Sequence, residues 1–311
     1  MAAQLKVFRQ LIARAAKRPP LPTAVVHPAD PESLRGAVMA WRRNLITPVL
    51  VGPEAKIRRA AAEARVNLGD CRILATEHSH AAAAAAVALA RQGRVACLMK
   101  GSLHTDELME AVLDRDAGLR TGRRASHVFV LDVPAYPRPL LITDAAINIA
   151  PDLETKRDIV QNAIDFARAL GIARPRVAIL SAVETVTAKI PSTLDAAALC
   201  KMADRGQITG ATLDGPLGFD NAISEAARRA KRIASPVAGR PDILVVPDLE
   251  SGNMLVKQMQ YFGGAKGAGI VLGTRVPIAL TSRADSAEAR LASCALAVLL
   301  RAFGAQESRK A

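Results

Sequence analysis

Four short apolar runs, TAVVH (23–27), TPVLV (47–51), CRILA (71–75) and VACLM (95–99), start about 24 residues apart, with Ala/Arg/Glu-rich helical segments between them. A parallel strand pair needs a crossover of a dozen or more residues, which a helix fills. The spacing therefore predicts βαβ units and a parallel sheet. The regularity is architectural, and no true sequence repeat runs through it.

The pattern then changes. SHVFVLDV (126–133) and PLLITDAA (139–146) are separated only by PAYPR, too short for a crossover, so they read as a hairpin or a sheet-edge excursion. A helix is expected from Asp152, its N-cap, to Leu170, stopping at Gly171. Further strands follow in RVAILS (176–181), GATLDG (210–215), DILVVP (242–247) and GIVLG (269–273), with helices near 192–204, 219–233 and 251–262. The last strand, PIALT, and a helix over 286–304 have no place in this second set. The chain is thus expected to cross back. Residues 1–148 plus 272–311 form a first α/β/α domain, and 149–271 an inserted second one; 311 residues suit two such domains.

Charge and composition narrow the partners. The net charge is +13, but the arginines are spread along the chain and aromatics are only 3%, which leaves few stacking platforms and argues against nucleic acid. A positive field that steers small polyanions such as phosphates or CoA fits better. The longest apolar run, AAAAAAVALA (81–90), is far below the roughly 20 residues of a membrane span. The opening MAAQLKVFRQLIARAAKRPP is basic and acid-free but has no apolar signal core, so it reads as the first helix, while the cysteine usage fits a reducing cytoplasm. Cys71, Cys97, Cys200 and Cys294 lack CxxC spacing, which argues against a zinc site and a disulfide framework; each reads as a small core residue.

Four stretches carry candidate chemistry. In LTSRADSAEARL, a strand ends at Thr281 and Asp285-Ser-Ala-Glu288 resembles a capping box, so Ser282 and Arg283 stand just ahead of a helix N-terminus. Ligands bind at such edges in open α/β sheets, and an arginine fork matches phosphate oxygens. The bland alternative has Ser282 capping the loop and Arg283 pairing with a surface carboxylate. In PDLESGNMLVKQ, Gly252 and Asn253 open a helix and Lys257 follows on the same face, as an anion site or as a solvated lysine. In LDGPLGFDNAIS, Asp214 and Asp220 could orient a substrate, while Asp220 or Asn221 caps the helix. In LMKGSLHTDEL, Lys100-Gly101 end a strand and Thr105 caps the next helix. Downstream Arg120, Arg123 and Arg124 read as a phosphate clamp or a surface loop. None of these is a P-loop, a GxGxxG fingerprint, a GxSxG elbow or an HExxH helix.

Taken in order, LMKG, GLRTGRRASHVFV, ITDAAINIAP, DGPLGFDNAIS, VPDLESGNMLVKQMQYF and TSRADSAE resemble the phosphate acetyltransferase and phosphate butyryltransferase family, closely over about residues 95–304 and loosely before. The resemblance implies two α/β/α domains with a cleft between them, as in isocitrate and isopropylmalate dehydrogenases, the second inserted into the first, in a homodimer. It implies reversible acyl transfer between coenzyme A and inorganic phosphate, by attack of the CoA thiolate on an acyl phosphate, with CoA as substrate, no bound cofactor and no metal. Arg283 would bind the phosphoryl group and Ser282 would stabilise the tetrahedral transition state. Lys100, Arg123, Asp220, Asn253 and Lys257 would bind substrate.

Two positions depart from the family's acetyl-type pattern. An acidic pair after Ser-Arg is here Glu288 and Ala289, leaving Glu288 or Asp285 as candidate base, and the arginine before Phe262 is Tyr261. Lys100-Gly101 and SRADSAE look like the butyryl branch, which tilts the acyl chain toward a longer one. Two other readings compete. A metal- and nicotinamide-dependent decarboxylating dehydrogenase would need a spaced aspartate set that the sequence lacks. A catalytically impaired CoA/phosphate-binding regulatory protein has Ala289 and Tyr261 in its favour.

Overall fold

The computed structural model describes residues 6–307. The start of the N-terminal helix expected from the sequence lies outside them; the described part, α1 (Lys6–Ala15), buries Phe8, Leu11 and Ala15 along one face. Two compact units form. The first comprises 8–123 and 268–307, and the second comprises Arg124–Gly267 with Lys6 and Val7.

In the first unit, β1 (Leu21–Val26), β2 (Ile46–Gly52), β3 (Arg72–Ala75) and β4 (Cys97–Lys100) alternate with α2 (Pro31–Arg42), α3 (Glu54–Ala64) and α4 (Ser79–Arg91), and α5 (Thr105–Leu113) follows. The chain returns late through β10 (Lys266–Leu272), β11 (Ile278–Ala279) and α11 (Ala287–Glu307). The strand order is β3-β2-β1-β4-β11-β10, parallel except for β10 against β11. Asp30 caps α2 by accepting from Ser33 N at 2.9 Å, with Pro31 supplying a preset φ at N1, a cap worth about 1 kcal/mol. α11 packs on α2, burying Leu291, Cys294, Ala295 and Leu296.

In the second unit, the hairpin β5 (Ser126–Asp132) and β6 (Leu140–Thr143) is antiparallel, as its short link requires. It precedes α6 (Leu153–Ala169), β7 (Arg176–Leu180), α7 (Pro191–Asp204), β8 (Thr212–Leu217), α8 (Phe219–Ile223), α9 (Glu225–Ala230), β9 (Ile243–Val245) and α10 (Leu249–Tyr261). The order β5-β6-β9-β7-β8 is parallel after the hairpin. Because β6 pairs with β9, the hairpin belongs with this unit, and the chain changes units at Arg124 rather than near 149. Asp152 caps α6 through Thr155 N at 2.8 Å, and Gly171 ends it at φ 97°, as the sequence indicates. Buried Ile159, Val160, Ile164 and Phe166 hold α6 on the sheet, each worth roughly 1.5–3 kcal/mol.

Several local expectations need correction. The helix expected over 219–233 is broken at Ser224, which closes α8 and caps α9 by accepting from Ala227 N at 3.2 Å. Neither Asp220 nor Asn221 caps α8; Gly218 holds that position. α10 begins at Leu249 on an Asp248 cap, so Gly252 and Asn253 lie inside its first turns. Thr105 is the first helical residue of α5, and His104 occupies the cap.

Candidate active site

The strand order of the first unit runs from β1 to β2 and β3 on one side, then jumps to β4 on the other. That reversal opens a gap beyond the carboxyl ends of β1 and β4, where open α/β sheets take their ligands. Lys100 is the last residue of β4, in register with Val26 of β1, and β11 lies parallel on the far side of β4. Three strand ends therefore deliver Asp30, Lys100 and the Ser282–Arg283 loop to one edge.

Gly101 makes the approach possible. A Cβ there would sit 2.4 Å from the Val26 carbonyl and 2.5 Å from that of His27, so only glycine lets the chain leave β4 so close to β1. Ser102 then donates to the His27 carbonyl at 2.8 Å and accepts from Ala29 N at 3.2 Å. The imidazole Nδ1 of His27 lies 3.2 Å from the same hydroxyl, and burial holds the ring's pKa below its ordinary value, with Lys56 adding to the effect.

The Ser282–Ser286 loop is held by a buried arginine. Arg290, on α11, is 1% exposed and donates to the carbonyls of Asp285, Ser286 and Ser282, the last at 3.2 Å. Gly36 of α2 gives it room, because a Cβ there would meet Arg290 Cβ at 2.7 Å. Asp285 accepts from Ser282 N at 2.6 Å, so it closes the loop instead of capping the helix; Ser286 caps, accepting from Ala289 N at 3.3 Å. The Ala287 N–H, at the helix start, donates to Glu32 at 3.0 Å.

Arg283 is exposed, with its guanidinium 3.5 Å from His104 Nε2. Ser282 and Glu288 are exposed too, Glu288 in the first turn of α11. Lys100 is 2% exposed, and its side chain makes no hydrogen bond or ion pair with any described residue. Its pKa is pushed down to about 8, first by burial and then by the positive charges of Arg290 and Arg283, against a weaker opposing pull from Asp30 and Asp285. The second oxygen of Asp30 is buried without a hydrogen-bond partner. Arg123 sits on an exposed loop of this unit, its N–H donating to Thr121 Oγ1 at 3.2 Å.

The second unit carries Asp220, Asn253 and Lys257, and beside them a buried carboxylate, Asp144. Asp144, 3% exposed, gathers the N–H groups of Ala146, Ile147 and Asn148 and the Asn148 amide, at 2.6–3.3 Å; burial still drives its pKa upward. Asn253 donates to Ala145 O at 3.2 Å and Gly252 lies where a Cβ would meet Ala145 Cβ at 2.8 Å, so α10 is locked onto that loop. Lys257 is exposed one turn further on. Asp220 is engaged by Lys231 at 3.0 Å, and Lys231 also donates to Glu184 at 2.9 Å; these contacts hold both carboxyls below the usual carboxylate range.

The sequence reading missed Arg290, Asp30, Ser102 and His104. A glycine in mid-helix at Gly36 was the available signal for Arg290, since such a residue marks close approach. None of the cysteines is a poised nucleophile: burial raises the thiols of Cys97 and Cys200 to about 12 and that of Cys71 to about 11.

The pattern of the family described as "Phosphate acetyl/butaryl transferase" matches residues 74–298. A phosphate acetyltransferase of Rhizobium meliloti is 64% identical over 96% of this chain and 94% of its own. A phosphate butyryltransferase of Clostridium beijerinckii is 40% identical over 96% and 98%. In the crystal structure of a branched-chain phosphotransacylase from Enterococcus faecalis V583, the match has a TM-score of 0.78 and 33% identity and covers 90% of this chain and 99% of that one. With the switch-point cations lying inside the matched span, the chain belongs to the phosphate acetyl/butyryltransferase family and is an acyltransferase.

Proposed function

We propose that the chain moves an acetyl group reversibly between coenzyme A and inorganic phosphate, by direct attack of the CoA thiolate on the acyl phosphate carbonyl. The preference for acetyl over butyryl rests on the greater identity to an enzyme named for acetyl, against the tilt suggested by Lys100-Gly101 and SRADSAE. Discrimination by chain length in an apolar pocket is worth only about 1–3 kcal/mol per methylene, so longer chains are turned over more slowly, not excluded.

The observation that carries the residue assignments is the set of three cations, Lys100, Arg283 and Arg290, concentrated at the strand ends where two carboxylates, Asp30 and Asp285, only partly offset them. Such a set suits a phosphoryl dianion. Arg283 takes its oxygens in a fork, and Ser282 donates to the oxyanion that develops on the attacked carbonyl. Glu288, exposed on the first turn of α11, is the carboxylate available to the thiol. Lys100 and Arg123 in the first unit and Asp220, Asn253 and Lys257 in the second bind substrate. Coenzyme A is a substrate in this scheme, and the enzyme works as a cytoplasmic homodimer without nucleic acid or membrane. Among the described residues no helix is long and apolar enough to cross a membrane.

The test is thiol release from acetyl-, propionyl- and butyryl-CoA with and without inorganic phosphate. Phosphate-dependent release, fastest with acetyl-CoA, is expected. Folded protein that binds CoA and releases no thiol from any of the three would return the regulatory reading, which family membership does not favour.

A further inference from the structure

We propose that Lys100 takes the proton from the CoA thiol and passes it to the departing phosphate, filling the position that Ala289 leaves without an acid. The inference rests on the acyl-transfer reading above and gives the thiol proton to Lys100 in place of Glu288.

The geometry comes first. Lys100 is almost fully enclosed yet unpaired, at the switch point of the sheet, and the chain on either side of it is fixed by the β1 register and by the close passage of Gly101. Buried lysines ordinarily find a carboxylate. This one faces Arg290 from α11, Arg283 and Asp285 from the loop after β11, and Asp30 from the loop after β1, whose buried second oxygen has no hydrogen-bond partner among the described residues. An unpaired amine and an orphaned carboxylate oxygen at one edge are groups that await a ligand.

The chemistry follows. A neutral amine can accept the S–H proton. The thiolate then forms the S–C bond as the C–O bond to phosphorus breaks, and the ammonium returns its proton to the released phosphate oxygen, so acyl phosphate and thiol become thioester and hydrogen phosphate. No other reactant is needed. With Arg283 on the phosphoryl group, the same amine stands beside both ends of the proton's path. A pKa of about 8 lies close to the roughly 8.5 of an ordinary thiol, the match that makes proton transfer efficient at neutral pH. Glu288, by contrast, is exposed to solvent.

The experiment follows acyl phosphate-dependent consumption of CoA against pH in wild type, Lys100→Met, Lys100→Arg, Glu288→Gln and His104→Gln. Wild-type kcat/KM for CoA is expected to rise with pH and level off above about 8. Lys100→Met is expected to lose roughly 100-fold in kcat/KM for CoA at pH 7 and to climb with the thiol's own ionisation, without that break. Lys100→Arg, which keeps the charge but cannot become neutral, is expected to be as slow, whereas His104→Gln keeps the break. Rescue by arginine, a raised KM for acetyl phosphate with an unchanged pH profile, or loss of the break in Glu288→Gln but not in Lys100→Met would each overturn the assignment. Wild-type protein without phosphate-dependent thiol release would overturn the acyl-transfer reading as well, a result distinguishable because it precedes any variant.

Discussion

Two buried lysines, one in each unit, meet the same physical problem in opposite ways. Lys156 on α6 is 6% exposed and donates to Asp195 on α7 at 2.6 Å; Lys100 at the end of β4 is 2% exposed and has no hydrogen-bond or ion-pair partner among the described residues. Taking an ammonium out of water costs several kcal/mol unless a carboxylate offsets it. Lys156 is therefore structural, a charge answered within the fold. Lys100 is kept company by two arginines instead, an arrangement that lowers stability and makes sense only where an anion arrives. Pairing separates a charge that serves the fold from one held for a ligand.

The comparison can be broken in several ways. The largest effect is expected from Arg283→Ala. Loss of one preorganised donor to the phosphoryl group should cost about 10²–10³ in turnover, or roughly 3–4 kcal/mol, and raise the phosphate requirement, while the denaturation midpoint stays put because the side chain is exposed. Wild-type kinetics in that variant would remove Arg283 from the site.

The next effect concerns pH. The folded-state pKa of Lys100 lies below its unfolded value of 10.5, so folding is penalised below about 8 and the penalty lifts as pH rises from about 8 to 10.5. The size is on the order of 3 kcal/mol. Urea midpoints of wild type minus Lys100→Met across pH 7–10.5 should show this rise, and a flat difference would contradict it.

Methionine substitutions sharpen the contrast directly. Lys156→Met strands Asp195 and should cost roughly 2–3 kcal/mol, at the low end for a broken buried pair because Asp195 keeps some access to water. Lys100→Met removes an unanswered charge and should be neutral or stabilising at pH 7. Equal losses would show that Lys100 has a partner after all. The smallest effect is expected from Ser286→Ala, which removes the cap on α11 at a cost of about 1 kcal/mol, read as a lower midpoint.

These regions were legible in the sequence to different depths. The strands β1 to β4 declare themselves through β-branched runs at crossover spacing, and the β5–β6 hairpin through a link too short for anything else. Both are local signals. Ser282 and Arg283 were found because the strand–loop–helix order is local too. What remained hidden depends on neighbours far along the chain. Glu32 reaches the N–H of Ala287, and nothing in AEARLAS distinguishes buried Arg290 from a solvated arginine until Gly36 is seen against it. The break at Ser224 was hidden for another reason, since one serine closes a helix and caps the next within an unbroken helical pattern. Asp220 was legible as an acidic residue at a turn, but its pairing with Lys231 is set by α9 packing back toward α8.

The most direct measurement is the denaturation midpoint in increasing inorganic phosphate at constant ionic strength, for wild type and Arg283→Ala side by side. A ligand that binds only the folded state raises stability by an amount that grows with its concentration over Kd, about 2.7 kcal/mol at 100 times Kd. The expected result is a phosphate-dependent rise in wild type that Arg283→Ala loses, leaving only the general salt effect common to both. Identical rises in the two proteins would contradict the claim that Arg283, in the loop after β11, is there to receive a phosphoryl group.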